Sequence, residues 1–201
     1  MRERDAAATL LLPLHLLTDG EGSRYVAWSP RHQLVPQSRP GLIAIVGTRD
    51  GTEVEVDFST HTAASVDGTI ERRAPGDRMR YRIDAGDVLQ FATAGIGPVL
   101  VDASGGGVVR RELDNHFVGT VIRSDAPVAV FAGADDHHLP LTGDGDALIE
   151  QLPPAAHWAN IAVGLVGEGA HWFDVVAGDE ATLMRFSTEV YDEIGHSLSL
   201  E

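Results

Sequence analysis

Apolar and polar residues alternate along much of the chain with a period of two rather than 3.6. Thr52-Glu-Val-Glu-Val-Asp-Phe58 switches between polar and apolar at nearly every step, as a strand does when one face is buried and the other wet. Arg78-Met-Arg-Tyr-Arg-Ile83 repeats the pattern with arginine outward. Short segments rich in Val, Ile, Phe and Tyr predict further strands at residues 24–29, 41–46, 88–93, 118–123, 128–132, 161–165, 172–177 and 182–191. Between them stand Arg49-Asp-Gly51, Asp67-Gly68, Pro75-Gly-Asp77 and Asp84-Ala-Gly-Asp87, whose residues tolerate positive φ or fix it near −65°. Helical patterning is limited to a turn near residues 10–17, interrupted by Pro13, and another at residues 146–152, where Asp146 caps and Pro153-Pro154 stops. The expected fold is therefore all-β, an antiparallel β-sandwich of short strands with Gly, Asp and Pro turns and one or two short helical turns.

The hairpin pattern of residues 43–56 recurs at residues 172–186 as strand, polar turn with Thr, and strand. Read as a duplication, residues 171–201 form a terminal hairpin that opens a second unit, and the chain is a piece of a longer protein. The domain division expected is a poorly ordered segment at 1–11, a sandwich domain at 12–170 and the terminal hairpin at 171–201.

Composition narrows the chemistry. All 15 basic residues of the 201 are Arg, and Lys and Cys are absent. That excludes a P-loop lysine, a Schiff base, a thiol nucleophile, thiolate metal sites and disulfides. The formal charge is −15, and residues 125–201 alone carry −13, with Arg185 their single base. Such a surface repels phosphate backbones and anionic lipid, so nucleic acid and direct membrane insertion are not expected. Cations or basic partners fit better, although an acidic surface also serves solubility alone. Met1-Arg-Glu-Arg-Asp5 before a short apolar run does not read as a signal peptide, and no window reaches the roughly 18 apolar residues of a membrane span.

Few motifs carry chemistry. There is no Gly-x-Ser-x-Gly, no His-Glu-x-x-His and no dinucleotide fingerprint. The densest polar run is Asp135-Asp-His-His138, followed by Asp144-Gly-Asp146 and Glu150. Carboxylates from one connection suit a hard cation, so Asp135, Asp136, Asp144 and Asp146 form the candidate calcium set. The competing reading is a solvated loop, since Asp-Gly turns are common and neighbours on an extended chain point to opposite sides. His157-Trp158 and His171-Trp172 offer aromatic recognition of a glycan or protein, against plain core packing.

One block resembles a known family. Gly119-Thr-Val-Ile-Arg-Ser-Asp-Ala-Pro-Val-Ala-Val-Phe-Ala-Gly133, then Glu150-Gln-Leu-Pro-Pro154 and Trp158, resembles the IgG Fc-binding-protein amino-terminal domain family. Leu12-Pro13, Ser23-Arg-Tyr-Val26 and Val46-Gly-Thr-Arg-Asp-Gly-Thr-Glu-Val-Glu-Val56 resemble that family's opening Pro, Tyr-Val strand and Gly-Thr-x-Val hairpin, so the similarity spans about residues 12–177. Members of that family usually carry a Cys soon after the position of Gly133; here Asp135-Asp-His-His138 stands instead. The resemblance implies an extracellular or cell-surface β module, in a bacterial surface or secreted protein, used for adhesion or ligand binding.

The expectation is a non-catalytic binding module that meets a protein or glycan ligand through Asp135, Asp136, His137, His138 and Trp158, on loops around residues 135–146 and 104–111. No cofactor is expected beyond the calcium of the candidate set. The alternatives are a carboxylate-dependent hydrolase of glycans using Asp135, Asp136 or Glu150, and an architectural segment of a longer multidomain chain.

Overall fold

The computed structural model describes residues 11–18, 20, 22–34, 38–95, 99–102, 110–113, 115–137, 146–158, 189–191 and 197–199. Strands appear where period two predicts them: β1 (Ser23–Val26), β4 (Leu42–Gly47), β5 (Thr52–Asp57), β6 (Arg78–Ile83), β7 (Val88–Ala92), β10 (Val121–Ser124) and β11 (Val128–His137). The remaining strands are β2 (His32–Leu34), β3 (Ser38–Arg39), β8 (Val99–Asp102), β9 (Arg110–Leu113), β12 (Asp146–Leu152), β13 (Glu189–Tyr191) and β14 (Ser197–Ser199). Only two 3₁₀ turns, Leu14–Leu16 and Ala155–His157, interrupt the strands among the described residues.

Two antiparallel four-stranded sheets, ordered β1-β10-β5-β6 and β12-β11-β4-β7, face each other as a sandwich. The alternation decides which side chains meet. Val54 and Val56 of β5, Ile122 of β10 and Tyr25 of β1 turn inward against Ile43 and Ile45 of β4, Val128 and Val130 of β11 and Phe91 of β7. Each such side chain contributes about 1.5–3 kcal/mol of apolar burial. One border is closed by aromatic rings: Phe58 meets Phe91 edge-on at 5.1 Å, and Tyr81 lies 5.5 Å from the same ring. The Tyr25 hydroxyl donates to the Val128 carbonyl across the sandwich at 2.6 Å. Burial pushes the pKa of that phenol up to about 12.

Two further sheets occur among the described residues. Strands β3-β2-β9-β8 form a smaller antiparallel sheet, and β13 pairs with β14. The turn chemistry also holds, with Gly51 between β4 and β5 at φ +71° and Gly86 between β6 and β7 at φ +88°.

Two expectations are corrected. Residues 146–152 do not form a helical turn: they are β12, paired with β11 from Val130↔Leu152 to Ala134↔Leu148. A short peptide's helical preference is weak, and a ten-residue central strand with an open edge offers a stronger partner. Nor is the run from 135 to 146 one loop. Asp135, Asp136 and His137 prolong β11 past a register shift between Ala134 and His137, and Asp146 opens β12 opposite His137. The hairpin at 172–186 and the strand expected at 161–165 lie outside the described residues.

Gly133 makes the β11–β12 pairing possible. A Cβ there would lie 1.7 Å from the Leu148 carbonyl oxygen and 2.7 Å from its carbon. Gly133→Ala is therefore expected to force the two strands apart and cost about 3 kcal/mol or more. Urea denaturation checks it against Ala132→Gly, which loses about 1 kcal/mol by added backbone freedom; equal losses would contradict the close-approach account.

Candidate functional site

Where β2 and β3 of the small sheet approach the far end of β11, polar side chains are buried together. His32 of β2 is 1% exposed, Gln33 2% and His137 6%. Successive residues of β2 look to opposite sides, so the strand serves two partners. On one side His32 Nδ1 lies 3.0 Å from Thr93 Oγ1, which also accepts from the Gly41 backbone at 3.0 Å. On the other, Gln33 Nε2 sits 3.4 Å from His137 Nε2. Asn115 ties the assembly to the sandwich: its carbonyl accepts from the His32 amide at 2.9 Å, and its Nδ2 donates to Ala94 at 2.7 Å. Burial pushes the His32 imidazole below its ordinary value, and the bond to Thr93 opposes this only in part.

Three connections leave the ends of this sheet and of β11. They join Leu34 to Ser38, Asp102 to Arg110 and His137 to Asp146. The register places Gln33 opposite both Glu112 and Arg39, so the strand ends that feed those connections lie around the Gln33–His137 contact.

The expected site residues fall unevenly on this framework. Asp135 is exposed on β11, while His137, two positions on, is buried and reaches Gln33. Asp136 lies on β11 and Asp146 opens β12, but their side chains are not among those described. His138 and Asp144 lie outside the described residues. Trp158 follows the second 3₁₀ turn, half-buried, with its indole N–H donating to the Pro153 carbonyl at 3.1 Å. Its neighbours hold the amino-terminal segment: His157 Nε2 donates to the Thr18 carbonyl at 3.1 Å, and the Leu12 amide donates to Gln151 Oε1 at 2.6 Å. No group of three or more His, Asp or Glu suited to a metal occurs among the described residues. Of the buried polar residues, His32 and Gln33 escape sequence reasoning because a three-residue strand carries no readable period; Asn115 lies outside the strands, and Thr93 falls in the predicted strand at 88–93 with nothing in the sequence to mark its contact with His32. A polar His32-Gln33 pair between Pro30 and Pro36 was the one visible hint.

The outer faces of the two sandwich sheets differ. On β12-β11-β4-β7, Leu42, Ala44, Phe131 and Ile149 surround a shallow groove of about 130 Å³. On β1-β10-β5-β6, alternate residues are charged and paired across strands: Glu53↔Arg82, Glu55↔Arg80 and Asp57↔Arg78, with Arg123 of β10 opposite Glu55. Arg78 and Arg123 both bind Asp57, at 3.0 and 2.7 Å to Oδ2, and Arg80 Nε binds Glu55 at 2.9 Å. The Arg78 hydrogen bond, helped by Arg123, holds the Asp57 carboxyl below its ordinary value. A groove of about 300 Å³ runs beside this ladder, lined by Glu53, Glu55, Arg80, Arg123, Ser124 and Asp125.

The described residues thus form an antiparallel sandwich whose two outer faces each carry a groove. The chain belongs to the IgGFc binding protein family, whose family model matches residues 7–195. The resemblance read from Gly119 to Gly133 and from Glu150 to Trp158 thus extends over nearly the whole chain. No curated protein and no solved structure matches it.

The buried His32 generates a pH prediction. With its folded pKa below the ordinary 6.5, the unfolded chain takes up the proton first as pH falls, so this group's contribution is full above about 6.5 and declines below it. His32→Gln is expected to reduce the fall in denaturation midpoint between pH 7.5 and 5. An undiminished fall would show that His32 does not titrate on unfolding.

Proposed function

We propose that the chain is a non-catalytic binding module of an extracellular or cell-surface protein, meeting a protein or glycan partner at the strand ends around Gln33 and His137. The observation that supports this most is the match of nearly the whole chain to a family described by binding. The site geometry fits it: Gln33 and His137 are buried against each other at strand ends from which connections leave, and connections between strands are where binding residues are usually carried. Of Asp135, Asp136 and Glu150, the candidate acid and base of a hydrolase, Asp135 and Glu150 are exposed and neither lines either of the two grooves described above. Among the described residues no helix is long and apolar enough to cross a membrane. Calcium held by Asp135, Asp136, Asp144 and Asp146 is part of the proposal, as a structural ion at the β11–β12 connection.

Purified chain applied to protein and glycan arrays, with and without millimolar calcium, tests the reading. The expected result is saturable capture of one ligand class, left unaltered in mass, with calcium raising the thermal midpoint beyond the effect of magnesium. Release of cleaved glycan would overturn the binding reading in favour of hydrolysis, and silence on both arrays would favour an architectural role. Equal midpoints in calcium and magnesium would remove the ion.

A further inference from the structure

The charged face of β1-β10-β5-β6 ends in an edge strand whose backbone and side chains offer the same pattern twice. Gly76 donates to Phe58 and Phe58 donates to Asp77, at 2.8 and 2.9 Å, while Asp125 donates to the Glu53 carbonyl on the other side of β5. These bonds set the phase of the ladder. Even-numbered residues of β5 bond to β6, odd-numbered ones to β10. On β6, Met79, Tyr81 and Ile83 therefore turn their amides and carbonyls toward β5, and Arg78, Arg80 and Arg82 turn theirs outward. Strand β6 is terminal in its sheet, so those groups line an open edge.

The side chains over that edge are arginines raised above carboxylates. Arg78 and Arg80 are 63% and 77% exposed, whereas their partners Asp57 and Glu55 are 24% and 18% exposed. Arg82 stands opposite Glu53 without an ion pair to any described residue. Along β6 the outward side chains are all arginine, 78, 80 and 82, on a chain of net charge −15.

We infer that β6 adds a strand from a partner polypeptide bearing carboxylates at alternate positions. Arg78, Arg80 and Arg82 recur about every 6.7 Å, the repeat of every second residue in an extended chain. An incoming acid-apolar-acid-apolar-acid segment would pair its backbone with theirs, set its carboxylates on their guanidiniums, and lay its apolar residues beside Met79 and Tyr81. Strand β5 already sets Glu53, Glu55 and Asp57 opposite the same arginine side chains, there through non-hydrogen-bonded pairs on the other side of β6. The rival account is that charge on an edge strand only prevents unwanted pairing; it predicts no acceptance of such a segment. The inference uses a surface distinct from the strand ends around Gln33, so either can fail alone.

The test uses a capped peptide with the sequence Gly-Thr-Glu-Val-Glu-Val-Asp-Phe and its Gln/Asn analogue, titrated into the full chain by fluorescence anisotropy. Amide exchange at Arg78, Arg80 and Arg82 is followed by NMR. Saturable binding is expected for the acidic peptide, at least tenfold weaker for the analogue and for Arg82→Glu, with slowed exchange at the three arginine amides. Arg82→Gln, which removes no observed ion pair, should give an intermediate loss at an unchanged melting temperature. Absence of binding, or equal binding of the analogue, would overturn the inference. So would binding of a heparin oligosaccharide in place of the peptide without amide protection, which would mark an anion surface rather than strand addition.

Discussion

One layer of side chains joins the two sheets: Tyr25, Val54, Val56 and Ile122 on one side, Ile43, Ile45, Val128 and Val130 on the other. No disulfide backs it, since the chain has no cysteine, so the contact rests on apolar burial and on buried bonds such as Tyr25 to Val128. A layer of that kind tolerates little change in volume or register, because a slip of one residue turns every buried side chain outward. The same constraint frees the outer faces. Each strand spends alternate residues on the core, and the others can carry any chemistry that stays solvated.

That freedom explains how one fold presents different surfaces. The outer positions of β5 and β6 are an arginine–carboxylate ladder, while those around Leu42 and Phe131 are apolar. At the end of β11 a third environment arises, where a strand prolonged beyond its regular register meets β2 and buries His137 against Gln33. Membership of the IgGFc binding protein family accords with a scaffold that displays surfaces and connections. The family block acquires physical reasons. Gly133 allows the close approach of Leu148, and Gln151 and His157 hold the amino-terminal segment through Leu12 and Thr18.

The sandwich was readable because its central strands obey period two. Residues 52–57 and 78–83 alternate in sequence and again in burial, and the Asp-Gly and Gly-Asp turns appear where positive φ is needed. Strands β2 and β3 are not readable, since three and two residues cannot display a period, and neither Val99-Leu-Val-Asp102 nor Arg110-Arg-Glu-Leu113 alternates. Strand β12 was misread as a helical turn because its partner, β11, lies across a connection that local propensity does not see. The candidate site is legible only in part: Asp135, Asp136 and His137 stand out as a cluster, but alternation would put Asp135 and His137 on one face, and the register shift between Ala134 and His137 leaves the first exposed and the second buried. The polar residue packed against His137, Gln33, comes from β2, about a hundred positions earlier in the chain.

The central claim is that this sandwich binds a partner through the strand ends around Gln33 and His137 and leaves it chemically unchanged. Hydrogen exchange of the full chain, free and saturated with a partner captured on the arrays, tests it most directly when the partner's mass is followed in the same sample. The account predicts slowed exchange at residues 32–34, 110–113 and 135–137, with no change in that mass. Unaltered exchange at all three segments, or conversion of the partner, would contradict it.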